Sequence, residues 1–243
     1  MFRKFLSLFL LCVLVTNISA QEIVNIILVG DEGITEDIKK AHSFIAIKKY
    51  SENLFERLDY KLGAPLVKLR SYGDSNLTIL NGPYLEYYPS GELNIKGQYE
   101  NTFREGDWYY YNDSGKSLQT EKYTKGKLIA TNPPDTAEKK TAFHKGDREA
   151  DWPGGSQKWI KYLQNNLNID VGLKSVNGGT VRVLFTVNTS GKTTSIFLKK
   201  SVEFILDEES VRVVRASPEW MPALEEGKPI NAYRMQPITF SKD

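Results

Sequence analysis

The segment GTVRVLFTVNTSGKTTSIFLKK, residues 179–200, decides how the C-terminal part of this chain folds. Its first nine residues alternate with a period of two, which places four apolar side chains on one face of a strand: Val181, Val183, Phe185 and Val187. Residues 188–192 combine Asn, Ser and Gly, a composition typical of a tight turn. The pattern therefore predicts an antiparallel hairpin with one apolar face, which other elements must cover.

Two amphipathic segments flank the hairpin and are predicted to cover it. The first helix follows the motif Trp152-Pro-Gly-Gly, and Ser156 is predicted to cap it. Its apolar face consists of residues at helical spacing: Trp159, Ile160, Leu163 and Leu167. The second helix is predicted to begin near Leu206 with Asp207 as its cap, and Pro218 ends it. Its buried side is predicted to carry Val211 and Val214.

A final strand is predicted over residues 230–240. Pro237 lies inside it and cannot donate to a ladder, so this strand is best placed at the edge of a sheet. Residues 152–243 are thus predicted to form an α+β domain, an antiparallel sheet with two helices.

Several landmarks of this domain occur in a recognisable order. Trp152-Pro-Gly-Gly precedes the hairpin with its Ser190-Gly-Lys turn, and Pro218-x-Trp220-x-Pro222, Gly227-Lys-Pro and Pro237-Ile-Thr-Phe follow it. In this order they resemble the C-terminal domain of TonB-type energy transducers. The sequence departs from that family at residues 169–172, where relatives often have a Tyr-Pro pair.

The resemblance implies a periplasmic domain that binds a short extended peptide, the TonB box of an outer-membrane receptor, along its last strand. An exposed edge offers unpaired N–H and C=O groups to such a peptide. The predicted pairing strand carries five candidate residues: Ile230, Ala232, Tyr233, Arg234 and Met235. The alternative interpretation is that these residues only complete the domain core.

Upstream, the chain repeats itself with an offset of 24 residues. Residues 82–91 align with 106–115, and Tyr99 aligns with Tyr123. Each copy has an aromatic strand, a Ser-Gly turn and a return strand, and it resembles the MORN-repeat variant of Bacteroidetes-type envelope proteins. Residues 21–130 are therefore predicted to form an all-β antiparallel meander of MORN-like hairpins. Four aromatic residues either pack this sheet or form a platform for peptide or carbohydrate: Tyr84, Tyr87, Trp108 and Tyr110.

The remaining segments are predicted to be a signal and a linker. Residues 1–20 combine a basic start, an apolar run and a small residue at Ala20, the pattern of a cleaved secretory signal; a retained inner-membrane anchor is the alternative. Cleavage would remove Cys12, the one cysteine, and with it any disulfide or thiolate chemistry. Residues 131–151 are polar and contain a Pro-Pro pair, so they are predicted to link the two folded units.

Composition and motifs exclude several classes of function. The formal charge of +2 arises from Arg3 and Lys4 in the signal, so no global field favours nucleic acid. His42 and His144 are the only histidines, and neither has a cluster of carboxylates at ligand spacing beside it. Neither a Gly-x-Ser-x-Gly elbow nor a phosphate-binding glycine loop occurs. The chain is predicted to be a non-enzyme without cofactor or metal.

Two hypotheses of function follow from these features. The first is a periplasmic binding protein whose TonB-like domain pairs with a receptor peptide and is related to transport across the outer membrane. The alternative is a cell-envelope scaffold whose MORN-like sheet binds protein or glycan, with the TonB-like domain as an accessory. Contact with a membrane is expected only if the N-terminal segment is retained, and the oligomeric state is left open.

Overall fold

The computed structural model of the protein describes residues 22–133 and 146–242. The predicted signal segment, residues 1–20, lies outside these ranges, as do His144 and the middle of the predicted linker. Within the described ranges, no helix is both long enough and apolar enough to cross a membrane.

Between residues 22 and 133 the chain forms one antiparallel sheet of ten strands. The strands are β1 (Glu22–Gly30), β2 (Gly33–Thr35), β3 (Ala41–Ser51), β4 (Leu54–Lys61), β5 (Leu66–Tyr72), β6 (Leu80–Tyr87), β7 (Leu93–Glu100), β8 (Phe103–Tyr111), β9 (Ser117–Thr124) and β10 (Lys127–Asn132). They follow one another in sequence order from β3 to β10, and β1 lies between β3 and β2. The predicted antiparallel meander is confirmed.

The 24-residue repeat is visible in the strand register. Gly82 pairs with Tyr99 between β6 and β7, and Gly106 pairs with Tyr123 between β8 and β9. Both hairpins also have a register shift just before their Ser-Gly turn. The sequence repeat is therefore a repeat of hairpin geometry; its assignment to the MORN type stays a prediction.

The C-terminal part is an α+β unit, as predicted. Its elements are α1 (Gly155–Asn166), α2 (Asp170–Lys174), β11 (Gly179–Val187), β12 (Thr193–Lys200), α3 (Phe204–Arg215), β13 (Ala223–Glu225), β14 (Lys228–Ile230) and β15 (Ala232–Phe240). One sheet has the order β12-β11-β15 with antiparallel neighbours, and β13 and β14 form a small hairpin. The apolar face of β11, from Val181 to Val187, is buried.

Both predicted helix caps are wrong. Helix α1 is preceded by Gly154 at a φ of 87° and has no side-chain cap, so Ser156 lies inside its first turn. Helix α3 begins at Phe204, which places Asp207 inside the helix rather than at its cap. The carboxylate of Asp207 is buried and accepts hydrogen bonds from the backbone N–H of Val202 and from two hydroxyl groups outside the helix.

One hydrophobic core joins the meander to the C-terminal unit. The inner face of the meander contributes Leu58, Tyr60, Leu66, Leu85, Tyr87 and Leu93 to the same cluster as β11 and α3. Phe204 of α3 packs edge-on against Phe44 and Tyr60, with ring centroids 5.3 Å apart in both pairs. The meander and the C-terminal unit therefore bury apolar surface against each other.

Polar contacts fix how these two parts dock. The hydroxyl of Tyr60 donates to Asp207 at 3.0 Å, and Asp207 also accepts from Ser201 Oγ. Ser201 Oγ in turn accepts from the backbone N–H of Leu66 at 2.7 Å. These groups are buried, so each hydrogen bond replaces one that water would otherwise supply.

The predicted linker is shorter than 131–151 at both ends. Strand β10 extends to Asn132, and the backbones of Arg148 and Asp151 pair with those of Leu224 and Met221. Ala150, between these two bridges, is only 1% exposed. The last residues of the predicted linker therefore belong to the C-terminal unit, because their backbone groups find partners there.

Candidate functional site

Strand β15 is an edge of the three-stranded sheet. It pairs with β11 along its whole length, from Ala232 opposite Val187 to Phe240 opposite Gly179. In the described part of the chain no strand pairs with its other side. Pro237 lies in this strand, so its predicted place at an edge is confirmed. The backbone groups on the outer side of β15 therefore have no strand partner in the described part of the chain.

The five predicted pairing residues separate into two groups. Ile230 belongs to β14, pairs with Ala223 and packs against the core, so its predicted place on the pairing strand is wrong. The strand is interrupted at Asn231, and β15 begins only at Ala232. Ala232 is half-buried against the same core.

Tyr233 and Met235 are the exposed members of the predicted set. Tyr233 is 70% exposed and Met235 is 52% exposed, on the sheet face opposite the helices. Between them, Arg234 points to the other face, where its Nη1 donates to Glu149 at 2.9 Å. The alternation of a strand thus leaves two large apolar or aromatic side chains available beside the free edge.

A small cavity of about 200 Å³ adjoins β15 on the helix face. It is lined by three tryptophans and by residues of β15: Trp152, Trp159, Trp220, Arg234, Met235 and Gln236. Trp159 donates its Nε1–H to Gln236 at 2.6 Å, which ties the tryptophan cluster to the strand.

The opposite flank of β15 faces the meander. Burial raises the pKa of Tyr111 to about 12, and the neighbouring phenols of Tyr109 and Tyr233 act in the same direction. Burial also raises the pKa of Tyr109, again with contributions from Asp107 and Tyr233. The phenol of Tyr233 therefore interacts electrostatically with two tyrosines of β8, Tyr109 and Tyr111.

The predicted aromatic platform does not form one surface. Because side chains alternate along a strand, Tyr87 lies on the inner face of the meander, where it is buried and donates to the carbonyl of Leu198 at 2.8 Å. Tyr84 and Tyr110 lie on the outer face, and their hydroxyls donate to Glu86 and Glu121 at 2.6 Å.

Trp108 is fully buried although it belongs to the outer face. Its ring lies directly over Gly97, where any larger residue would overlap it, and it packs against Tyr84 and Tyr99. The guanidinium of Arg104 covers it at 4.1 Å from the ring centroid. Trp108 therefore packs the sheet and offers no open ring face to a sugar.

Signs of catalytic chemistry are sparse among residues 22–133 and 146–242. No group of three His, Cys, Asp or Glu side chains there is arranged to hold a metal ion. His42 has only Asp31 near it, at 3.7 Å, and both side chains are largely exposed. The free edge of β15 is the binding feature that the predicted pairing residues point to.

The fold and the free edge define a class of protein: a β meander joined to an α+β domain that presents its last strand for pairing. Residues 174–241 match the family model of the Gram-negative bacterial TonB protein C-terminal, and the chain is similar to that family over this segment. The resemblance drawn from the sequence is thereby confirmed for the C-terminal unit. The matched family is a non-catalytic domain associated with transport. No curated protein and no solved structure matches the chain.

Proposed function

We infer that the protein is a non-catalytic periplasmic binding protein that pairs the outer side of β15 with an extended peptide of an outer-membrane receptor. The observation that carries this proposal is the unpaired edge of β15 inside a segment similar to the TonB C-terminal family. Backbone pairing along such an edge supplies affinity, and alternate side chains supply selectivity.

The position of Pro237 indicates which backbone groups of β15 would pair with the peptide. It lies opposite Arg182, and a proline in an edge strand is tolerated where its nitrogen faces away from the ladder. The backbone N–H and C=O groups of successive residues point to opposite sides of a strand. Those of Tyr233, Met235 and Thr239 therefore point away from β11, as the nitrogen of Pro237 does. We expect the amides of Tyr233 and Met235 to donate to the peptide, since the Pro237 nitrogen has no hydrogen.

The two flanks of β15 would select the side chains of that peptide. Side chains on one side of the peptide would meet the tryptophan cavity beside Trp159, and those on the other would meet Tyr233. The alternative function is a cell-envelope scaffold whose meander binds protein or glycan. Its glycan form is less well supported because Trp108 is buried and Arg104 covers its ring.

The proposal is tested by nuclear magnetic resonance on the full chain with carbon-13 labels on the methionine methyl groups. The sequence has three methionines, of which Met1 lies in the predicted signal, Met235 on β15 and Met221 beside the Asp151 bridge. Titration with peptides from the N-termini of outer-membrane receptors is expected to shift the Met235 signal and to leave the Met221 signal in place. The proposal would be contradicted if no peptide shifted the methyl signal of Met235.

Backbone pairing is tested on the peptide side. Methylation of alternate peptide amides is expected to abolish binding for one set of positions and to spare the other, since only one set faces β15. Equal loss from both sets, or from neither, would contradict strand pairing.

Side-chain contributions are tested with matched variants. The double substitution Tyr233→Ala/Met235→Ala is expected to weaken binding, whereas Ile169→Ala/Leu173→Ala, which removes two comparably exposed apolar side chains at α2, is expected to leave it unchanged. Equal effects of the two variants would show that the exposed residues of β15 have no special role.

A further inference from the structure

A slot of about 420 Å³ lies between the inner face of the meander and the elements β12 and α3. Its floor is a row of residues that pair in turn across five strands: Leu58, Leu69, Leu85, Lys96 and Tyr109. Since neighbouring strands lie about 4.8 Å apart, this row is roughly 19 Å long. Ile196 and Phe197 of β12 and Val211 of α3 form the roof. The slot is therefore long and narrow, with a mainly apolar floor and roof. Its lining also includes the carboxylates of Glu56, Glu105, Asp107 and Glu208. Three of these have close partners: Glu56 accepts from Tyr50, Glu208 pairs with Lys48, and Glu105 accepts from the backbone N–H of Lys125.

The roof depends on a bulge in β12. Phe197 pairs with Leu184 and Thr194 pairs with Thr186, so β12 has one residue more than β11 between these pairs. Ser195 lies in the bulge at a φ of 48°, a left-handed conformation that is unfavourable for a residue other than glycine. Bulges redirect side chains, and this one brings the ring of Phe197 to 5.2 Å from Nζ of Lys96.

Lys96 differs from the other basic residues of the slot. Lys48 forms an ion pair with Glu208, and Arg215 lies over the ring of Tyr50. For Lys96, no carboxylate oxygen of residues 22–133 and 146–242 lies within 4 Å of Nζ. Its ammonium group instead sits between the rings of Phe197 and Tyr109, 4.7 Å from the centroid of the latter.

The surroundings of Lys96 favour an anion. Burial lowers the pKa of Lys96, and the more distant carboxylate of Asp107 only partly offsets this effect. The charged form thus lacks the solvation and the close counter-ion that usually stabilise it. A negative group beside Lys96 would supply that counter-ion and form a charge-assisted hydrogen bond.

We propose that the slot binds an anionic amphiphile with a single unbranched chain, such as a medium-chain fatty acid. Its carboxylate would contact Lys96, and its chain would lie along Leu85, Leu69 and Leu58. At about 30 Å³ for each water-sized unit, the slot holds roughly 14 non-hydrogen atoms, which matches such a molecule. Pockets of this size and mainly apolar lining commonly bind small ligands.

The test is calorimetric titration of the full chain with decanoate and, separately, with decanol. Decanoate is expected to bind, and Lys96→Met is expected to weaken it at least about tenfold because a charge-assisted hydrogen bond is lost. The same variant is expected to change decanol binding less than about twofold, since the alcohol has no charge to lose. Lys127→Met, which removes an exposed lysine of β10, serves as the matched control and is expected to bind both ligands normally.

A second variant tests the slot itself. Ile196→Trp adds volume at the roof, where the side chain is only partly buried, and is expected to abolish binding of both ligands while the unfolding midpoint stays close to that of the parent. Three results would each overturn the proposal: no binding of decanoate to the parent protein, equal weakening of acid and alcohol by Lys96→Met, or unchanged binding by a folded Ile196→Trp. The Met235 signal is not expected to respond to decanoate, so this site and the edge strand are tested separately.

Discussion

The substitution Gly91→Ala tests how closely the meander and the C-terminal unit are docked. Gly91 lies in the first repeat turn at a φ of 85°, and its carbonyl accepts a hydrogen bond from the N–H of Ser201 at 2.9 Å. A methyl group on Gly91 would overlap the carbonyl oxygen of Ser201, which is backbone and has little freedom to move. Gly115 is the matched control, because it occupies the equivalent turn at a φ of 77° and a methyl group there would approach only side chains, those of Glu92 at 3.0 Å and Arg182 at 3.9 Å.

The magnitudes separate the two variants. Alanine in a left-handed conformation costs about 1 to 2 kcal/mol at either site. At Gly91 the overlap adds about 1 to 3 kcal/mol, and loss of the hydrogen bond from Ser201 adds about 1 kcal/mol. We therefore expect Gly115→Ala to lower the free energy of unfolding by about 1 to 2 kcal/mol, and Gly91→Ala to lower it by about 3 to 6 kcal/mol.

The assay is urea unfolding followed by tryptophan fluorescence. Trp108 reports on the meander, and three other tryptophans report on the C-terminal unit. Since the two parts share one core, we expect a single transition for the parent protein. Equal destabilisation by the two substitutions would refute the reasoning, because it would show that the contact between Gly91 and Ser201 is not closely packed.

Three further predictions concern buried polar groups. Burial raises the pKa of Asp207 to about 7, so the folded state holds its proton more tightly than the unfolded state, and stability should fall by about 1.4 kcal/mol per unit as pH rises from about 4 to 7. Asp207→Asn should flatten this part of the profile, measured by urea unfolding at several pH values; an unchanged slope would contradict the assignment. Tyr87→Phe should lower the free energy of unfolding, measured with urea, by about 1 to 2 kcal/mol, because the buried carbonyl of Leu198 loses this donor while the ring stays in place. An unchanged free energy would mean that water replaces the hydroxyl. Glu92→Gln should lower the free energy of unfolding by about 2 to 3 kcal/mol, because the ion pair with Arg182 between the meander and the C-terminal unit is lost. Urea unfolding at low and high salt checks this, and the difference from the parent protein should shrink in high salt.

The proposed peptide site was only partly accessible from the sequence. The edge position of the last strand was predicted from Pro237, since a residue without an N–H group is excluded from an inner strand. The exposed pair of residues did not follow, because Ile230, Ala232 and Met235 are all apolar and their exposure depends on where the strand is interrupted. The tryptophan cavity was also not predicted: Trp220 is far from Trp152 and Trp159 in the chain and meets them only in the folded domain.

The two errors in helix capping have a shared cause. Ser156 and Asp207 are residue types that commonly cap helices, and local propensity assigned them that role. In the folded protein the carboxylate of Asp207 instead accepts hydrogen bonds from Tyr60 of the meander and Ser201, contacts that are invisible to local pattern. At Asp207, long-range partners outweighed the local preference.

The sequence by itself determined the local elements of this protein: the hairpin of residues 179–200, the 24-residue repeat and the TonB-like order of landmarks. These features depend on the spacing of apolar residues, every two residues in a strand and every 3.6 in a helix, and on the composition of turns. Both are properties of residues that are close in the chain. Only the tertiary structure decided that the meander packs against β12 and α3, that a slot remains between them, and that Lys96 lies in it without a close carboxylate. The physical reason is that burial and charge pairing between distant segments depend on the docking of two surfaces, and no periodicity in the chain encodes that docking.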